Sequence, residues 1–346
     1  MTVEWYYTIY PHFISIYYNK RTQFNYSRQL LNDEYELIEK KFNREEQFKT
    51  SKNNNVLSNN SKRKITKCIN YLLTITSNKK AFSYKYKKSF NFKLAFITLT
   101  LSSKQQHSDN FIKSYLLNHL LITLKRKFKV QNYLWKAELQ KNGNIHFHIL
   151  VDNYINYQEL KDVWNNIQEK YGYVSRYRSK IKKFYRNGFK LNLKYIQTWS
   201  KEKQYQAYLK NLQTDWNSPN STDVHALRKV NNVQSYLLKY MCKDLEGREI
   251  QGRTWGANIA LSNMRPFTDL LDNQASSLFK KLVRDLKLKT IQTDYYTLIF
   301  YNLEQLCNTR YNVLYQDLSS YFVELNKLLL NKEDNKEELT RILLEL

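Results

Sequence analysis

The segment from 131 to 152 constrains the fold of this chain more than any other, because apolar and polar residues alternate along two stretches. It reads QNYLWKAELQKNGNIHFHILVD. Successive side chains of a strand point to opposite faces, so His146 and His148 would share one face. The Lys-Asn-Gly sequence between the stretches predicts a hairpin with a three-residue loop, in which Gly143 takes the left-handed position of a bulge.

This loop decides which side chains lie opposite each other. It pairs Glu138 with His146 and Lys136 with His148. The other face is then apolar and consists of Tyr133, Trp135, Ala137, Leu139, Ile145, Phe147, Ile149 and Val151. A two-residue Asn-Gly loop would place Glu138 opposite Phe147 and mix polar with apolar residues on both faces. We therefore predict one core face and one face that carries a carboxylate and two imidazoles.

A carboxylate and two imidazoles that converge on one sheet face predict a divalent-cation site with open positions for water or substrate. The alternative is a solvated His-x-His strand. Glu138 in register and the clean apolar face favour the metal site. Mixed nitrogen and oxygen ligands alone do not choose between Mn, Mg and Zn.

The charge of the chain points to a polyanionic partner. Its 346 residues include 56 Lys and Arg against 31 Asp and Glu, which gives a net charge of +25. Nucleic acid is the commonest partner of such a field, and a membrane surface is the rival. No stretch approaches the ~20 uninterrupted apolar residues of a membrane-spanning helix. The start lacks a signal-peptide pattern, and Cys68, Cys242 and Cys307 are widely spaced, so we expect a reducing, cytoplasmic location without membrane association.

A second motif, VQSYLLKYMCK at 233–243, predicts a helix with Tyr236, Lys239, Tyr240 and Lys243 along one stripe. A tyrosine hydroxyl, with a pKa near 10 in solution, is a weak nucleophile at neutral pH. Neighbouring lysines would favour the phenolate, and a cation would polarise a phosphodiester. The combination suggests strand cleavage through a covalent phosphotyrosine link, with a second tyrosine for a second transfer. The alternative is a surface stripe in a chain with 29 tyrosines.

The remaining segments predict an α+β fold with a central, largely antiparallel sheet, flanking helices and a helical C-terminal region. Strands are expected at 92–101 and 189–197. Helices are expected at about 27–48, 64–76, 111–128, 157–170, 200–214 and 231–245, and an exposed linker at 50–64. The stretch 175–195 interleaves cations with aromatic residues, which suits single-stranded DNA and equally a solvated basic face.

Three motifs in this order resemble those of the rolling-circle replication initiators of small single-stranded DNA phages and plasmids, in the HUH endonuclease superfamily. They are FITLTL at 96–101, HFH at 146–148 and the two-tyrosine motif YLLKYMCK at 236–243. The resemblance implies an RRM-like sheet, Mg or Mn as the cation, a 5′-phosphotyrosine intermediate and a free 3′-OH that primes synthesis. The activity implied is that of a DNA endonuclease and strand transferase, that is, a nickase and ligase.

The resemblance also implies roles for single residues. The residues that match the motifs are the metal ligands His146 and His148 with Glu138 as the third, the nucleophiles Tyr236 and Tyr240, and their electrostatic partners Lys239 and Lys243. Thr98 and Thr100 are expected as supports at most. A single-stranded DNA origin is the implied substrate. Because the chain has no Walker-type phosphate loop, a host helicase and polymerase are expected partners in a bacterial cytoplasm.

We expect three regions: an N-terminal region with a polar linker at 1–60, the endonuclease domain at 61–265 with its core at 90–265, and the helical C-terminal region at 266–346. Two other functions remain open. One is a relaxase or transposase with the same chemistry. The other is a non-catalytic basic nucleic-acid-binding protein whose sheet and tyrosines stack bases.

Overall fold

The computed structural model describes residues 3–20, 57–83, 87–226, 233–243, 247–293, 296–301, 303–307 and 309–345. The helix expected at 27–48 and the first part of the expected linker lie outside these residues. The described residues form two compact units. One comprises those within 54–69 and 76–258, and the other those within 1–53, 70–75 and 259–346. The domain boundaries expected at 60 and 265 stay a prediction.

Helices and strands alternate along the described chain. The strands are β1 (Val3–Tyr10), β2 (Phe13–Lys20), β3 (Lys79–Ser83), β4 (Lys88–Phe92), β5 (Ala95–Leu99), β6 (Tyr133–Leu139), β7 (Ile145–Val151), β8 (Thr222–Ala226), β9 (Trp255–Ala257), β10 (Phe267–Leu270), β11 (Lys289–Gln292) and β12 (Tyr296–Phe300). The helices are α1 (Asn59–Ile75), α2 (Asp109–Phe111), α3 (Asn118–Arg126), α4 (Tyr157–Glu169), α5 (Tyr173–Phe184), α6 (Lys201–Gln213), α7 (Val233–Met241), α8 (Ile259–Ser262), α9 (Asn273–Leu286), α10 (Leu303–Cys307) and α11 (Asn312–Glu345). A π-helical stretch, Ile112–Leu117, joins α2 to α3. The α+β class is confirmed.

A five-stranded antiparallel sheet in the order β8-β5-β7-β6-β9 organises the unit that carries the hairpin. Glu138 pairs with His146 and Lys136 pairs with His148, so the predicted register is confirmed. The Gly143 amide donates to the carbonyl of Gln140, which in turn pairs with Asn144. Gly143 has a φ of +80°, as the predicted three-residue loop requires.

The apolar face of this sheet packs against the helices that follow β5 and β7. Its strand residues, such as Phe147 and Ile149, belong to one buried cluster with Leu120 of α3 and Trp164 of α4. Each fully buried large apolar side chain contributes about 1.5–3 kcal/mol relative to exposure. The alternation read from the sequence therefore determines which face of the hairpin becomes core and leaves the polar row for the other face.

The other unit contains a second antiparallel sheet, in the order β10-β1-β2-β12-β11. The hairpin of β1 and β2 thus pairs with strands from the far end of the chain. The C-terminal region contains the long helices α9 and α11, as expected, and in addition these three short strands. Among the described residues no helix is long and apolar enough to cross a membrane.

The strand expected at 189–197 is wrong. The structure has a 3₁₀ turn there, Leu193–Tyr195, and the preceding residues 173–184 form α5. Gln204 of α6 explains the difference, because its side chain binds the main chain of the segment. Its Oε1 accepts from the Asn192 amide at 2.9 Å, and its Nε2 donates to the Asn192 carbonyl at 3.2 Å. These bonds satisfy polar groups that a neighbouring strand would otherwise bind.

Candidate metal centre and tyrosine helix

β6 and β7 bring Glu138, His146 and His148 together on the polar face of the sheet. Glu138 Oε2 lies 3.6 Å from His146 Nε2 and 3.4 Å from His148 Nε2. The three candidate ligand atoms all lie within 4.8 Å of one another, which allows them to bind a single cation. Their side chains are 12–19 % exposed, so the site can be reached from solvent.

Two residues of β5 fix the ring of His148. Thr98 Oγ1 lies 3.1 Å from His148 Nδ1, at hydrogen-bond distance, and the Phe96 ring stacks on the imidazole with centroids 5.1 Å apart. Such contacts set which nitrogen of a ligating histidine faces the cation. Thr98 therefore contacts the site as a support. Thr100 instead donates to the main-chain carbonyl of Ser221 and contacts the edge strand.

The Glu138 carboxylate is held ionised. Burial raises its pKa, but interactions with His146, His148 and the Lys136 ammonium outweigh burial and place the pKa well below its usual range. Glu138 therefore offers a full negative charge at neutral pH.

The residues present fit a divalent cation. His146 Nε2 is shielded from solvent and has no hydrogen-bond partner within the described part of the chain. An unsatisfied buried polar atom of this kind costs about 1–3 kcal/mol, which a bound cation would remove. Two imidazole nitrogens and a carboxylate oxygen leave coordination positions open for a substrate oxygen.

Lys136 connects this centre to the helix α7. Its side chain is completely buried, and Nζ lies 3.0 Å from Glu138 Oε1. The same ammonium donates to the main-chain carbonyls of Tyr240, at 3.1 Å, and of Lys243. The last carbonyls of a helix lack partners within the helix and carry partial negative charge, so a buried cation suits this position. The sequence placed Lys136 opposite His148 and did not indicate its second partner.

Tyr236 and Tyr240 lie one turn apart on α7, and their ring centroids are 4.8 Å apart. The Tyr240 ring is 6.0 Å from the ring of Phe96, which stacks on His148, so the helix lies beside the metal residues. Leu237 and Met241 are fully buried and seat the helix. Lys239 and Lys243 are exposed.

The electrostatics of the tyrosine pair differ from expectation. The lysines were expected to favour a phenolate, but burial and the neighbouring Tyr240 raise the pKa of Tyr236 above its ordinary value. Tyr236 is therefore a neutral phenol at neutral pH, and it must lose a proton when it reacts.

The strand β8 adds a pair of residues that the sequence did not reveal. Asp223 lies opposite Thr98 and His225 lies opposite Phe96, which puts both on the polar face of the sheet. His225 Nε2 is 2.7 Å from Asp223 Oδ2, and both side chains are more than half exposed. The only available signal was His225 in an otherwise short and weakly patterned segment. His107, by contrast, lies in a loop against the Tyr173 hydroxyl, as expected of a structural residue.

A polar network holds the hairpin at its loop. The buried Asp109 accepts two hydrogen bonds from the Arg248 guanidinium, at 2.6 and 2.7 Å. Gln105 donates to Asp109 at 2.7 Å, and its Oε1 accepts from the Ile145 amide at 2.7 Å. Asn144 accepts from the Gln105 amide at 2.9 Å. The network thus fixes the first residue of β7, next to His146.

An antiparallel sheet with a possible cation site beside a tyrosine helix agrees with the class of protein that the motifs resemble. Residues 94–245 match the family described as Replication-associated protein ORF2 or gene 2 protein, and this region of the chain belongs to that family. The resemblance to a rolling-circle replication initiator is thereby confirmed at the level of a replication-associated protein. The two-tyrosine subtype stays a prediction.

Two further comparisons give no closer identification. No curated protein matches the chain. Among solved structures, the LAGLIDADG meganuclease I-AabMI bound to uncleaved DNA aligns at 11% identity over 78% of this chain and 92% of that chain, with a TM-score of 0.10. This score is far below that of chains that share a fold.

Proposed function

We propose that this chain initiates rolling-circle DNA replication by nicking single-stranded DNA at its origin and later joining the ends. The observation that carries the proposal is the contact chain from the ligand His148 through Phe96 to Tyr240, which places a nucleophile beside a cation site. The family match supports a role in replication. The net charge of +25 supports a polyanionic substrate.

Glu138, His146 and His148 would hold Mg or Mn. When bound there, the cation makes the phosphorus of the scissile phosphodiester more electrophilic. The chain's own contribution is to fix the ligands: Thr98 and Phe96 orient His148, and Lys136 holds the Glu138 carboxylate. The exposed ammonium groups of Lys239 and Lys243 can contact the phosphoryl oxygens, where negative charge builds up during attack.

The cleavage step is a transesterification. The hydroxyl oxygen of Tyr236 or Tyr240 attacks the phosphorus, a phosphorus–oxygen bond to tyrosine forms, and the bond to the 3′ oxygen breaks. The phenol loses its proton and the departing 3′ oxygen gains one, so the products are a 5′-phosphotyrosine and a free 3′-OH. Because one phosphodiester replaces another, the reverse attack by a 3′-OH can rejoin the strand. The second tyrosine permits a second transfer while the first holds a DNA end.

The proposal includes host proteins for unwinding and synthesis, and it places the reaction in the cytoplasm of a bacterial host. A relaxase or transposase would use the same site on a different DNA. The recognised DNA sequence distinguishes these functions from replication initiation.

A covalent-adduct assay tests the chemistry. Single-stranded fragments that tile the parent replicon are labelled at the 3′ end and incubated with the protein and Mg or Mn. A labelled protein band on a denaturing gel is expected, and it should disappear with a chelator and in the Tyr236→Phe/Tyr240→Phe variant. Tyr115→Phe/Tyr296→Phe is the matched control, since both of these tyrosines are exposed.

Two results would contradict the proposal. One is an adduct that persists in the Tyr236→Phe/Tyr240→Phe variant, because another residue would then be the nucleophile. The other is DNA binding with no adduct in either metal, which favours the non-catalytic nucleic-acid-binding protein.

A further inference from the structure

A groove at the end of α5 carries four cations and no acidic residue. It has a volume of about 640 Å³ and is formed by the last turns of α5 and by the turn that follows. Its lining residues, here called the basic groove, are Lys180, Lys183, Phe184, Arg186, Asn187, Gly188, Phe189 and Lys190. This unit holds the candidate metal centre as well.

The charge of the basic groove is available to a ligand. None of its four cations has an acidic partner within the described residues, whereas the adjacent Lys182 pairs with Asp215 at 2.5 Å. The stretch from 173 to 216 contains eleven basic and two acidic residues. Four uncompensated cations around one concave surface attract a chain of phosphates.

The two aromatic rings of the basic groove differ in their surroundings. Phe189 packs against Tyr205 and Tyr208, with centroids 5.2 and 5.6 Å apart, and so anchors the floor. The side chain of Phe184 is 37% exposed, and Lys190 Nζ lies 5.6 Å from its ring centroid. Phe184 therefore presents a fixed ring with cations beside it, the arrangement on which nucleobases stack.

We propose that the basic groove binds single-stranded DNA, with its cations on successive phosphates and one base stacked on Phe184. A duplex would satisfy the cations but keep its bases stacked on each other, so it would leave the ring without a partner. An anionic lipid surface would likewise use the charge and not the ring stacking. This inference rests on the proposed function, in which single-stranded DNA is the substrate of the tyrosine site.

A salt titration tests the cations. The full chain carrying Tyr236→Phe/Tyr240→Phe, which blocks covalent capture, is titrated without metal against a fluorescent oligonucleotide. Adding Lys183→Gln/Arg186→Gln/Lys190→Gln should weaken binding and reduce the slope of log affinity against log salt by about 2, since each lost phosphate contact removes about 0.7. The control Lys280→Gln/Lys281→Gln/Lys289→Gln removes the same charge from exposed residues of the other unit and should leave the slope unchanged.

The ring is tested by Phe184→Leu, which keeps apolar bulk and removes stacking. We expect single-strand affinity to fall about 5- to 100-fold with an unchanged salt slope, and duplex affinity to stay the same. Unfolding midpoints verify that each variant folds. Equal losses in the groove and control triples, or wild-type affinity in Phe184→Leu, would overturn the proposal. So would a groove triple that loses binding to vesicles of anionic phospholipid and keeps binding to DNA.

These outcomes separate the basic groove from the tyrosine chemistry. A protein that forms no adduct but loses single-strand binding in the groove variants rejects the nicking function and retains the groove. A protein that forms the adduct normally and binds equally well with the groove variants rejects the groove alone.

Discussion

The buried Lys136 donates a 3.1 Å hydrogen bond from Nζ to the main-chain carbonyl of Tyr240. The same ammonium lies 3.0 Å from the Glu138 carboxylate. One side chain thus joins the candidate metal centre to the end of the helix that carries both tyrosines. Since a buried lysine is stable only when its charge is compensated, both contacts hold the ammonium in place.

Replacing Lys136 with methionine should affect the metal site and the tyrosine helix together. The change preserves the apolar stem but removes the donor for Tyr240 and the cation beside Glu138. We expect a loss of about 3 kcal/mol in the free energy of unfolding and a fall of about 10- to 100-fold in Mn affinity or adduct rate. Calorimetric titration of Mn, the adduct assay and urea unfolding measure these effects.

Lys141→Met in the exposed hairpin loop is the matched control and should leave all three quantities unchanged. If Lys136→Met lost stability but kept both Mn affinity and adduct rate, Lys136 would support the fold without positioning the site.

The ion pair of Asp109 with Arg248 should make stability depend on pH. Burial raises the Asp109 pKa, but hydrogen bonds from Arg248, Gln105 and the Gln251 amide lower it below its ordinary value of 3.8. Because the folded pKa is the lower one, this stabilisation is complete above pH 3.8 and is lost as the pH falls through the folded value. Asp109→Asn should cost about 2 kcal/mol at pH 7. The difference from wild type should narrow below pH 3.8.

Denaturant unfolding of both proteins at pH 7 and at acid pH measures this difference directly. Subtracting the two proteins at each pH removes the titration of other carboxylates. A difference that stays constant down to the acid limit would mean that the Asp109 charge contributes nothing.

The hairpin and the tyrosine helix could be predicted because their signals are local. A period of two places Glu138 with His146, and the glycine of the bulge chooses between two loop lengths. Spacings of three and four residues place Tyr236 and Tyr240 on one stripe of α7. In each case neighbouring residues in the sequence carry the whole pattern.

Other parts depend on contacts between distant residues, which periodicity cannot show. Tyr6 of β1 pairs with Leu270 of β10 across most of the chain. The edge strand β8 is only five residues long, and its residues Asp223 and His225 are exposed, so its hydrophobic pattern is weak. Lys136 could be placed on the polar face, but its bond to the end of α7 depends on how the helix packs.

Two glycines should respond differently to alanine. Gly143 has a φ of +80° and open space around an added Cβ, so Gly143→Ala should cost about 1–2 kcal/mol through backbone strain alone. At Gly256 an added Cβ would lie 2.8 Å from Nε1 of Trp135. Gly256→Ala must therefore displace a core ring and should destabilise the protein more. Urea unfolding ranks the two, and Gly143→Asn should recover part of the loss, because asparagine tolerates this conformation. The reverse ranking would mean that Trp135 yields easily.

Removing the charge of Glu138 should abolish cation binding without unfolding the protein. Glu138→Gln keeps the shape of the side chain but offers a neutral oxygen, and it leaves Lys136 without its carboxylate. Residues that only support a ligand contribute about 10- to 100-fold to metal affinity, so loss of the ligand itself should exceed about 100-fold. Mn titration followed by electron paramagnetic resonance measures the affinity, and Glu159→Gln on the surface of α4 is the charge-matched control. Wild-type Mn affinity in Glu138→Gln would exclude this carboxylate as a ligand and leave the two histidines to bind the cation with a different partner.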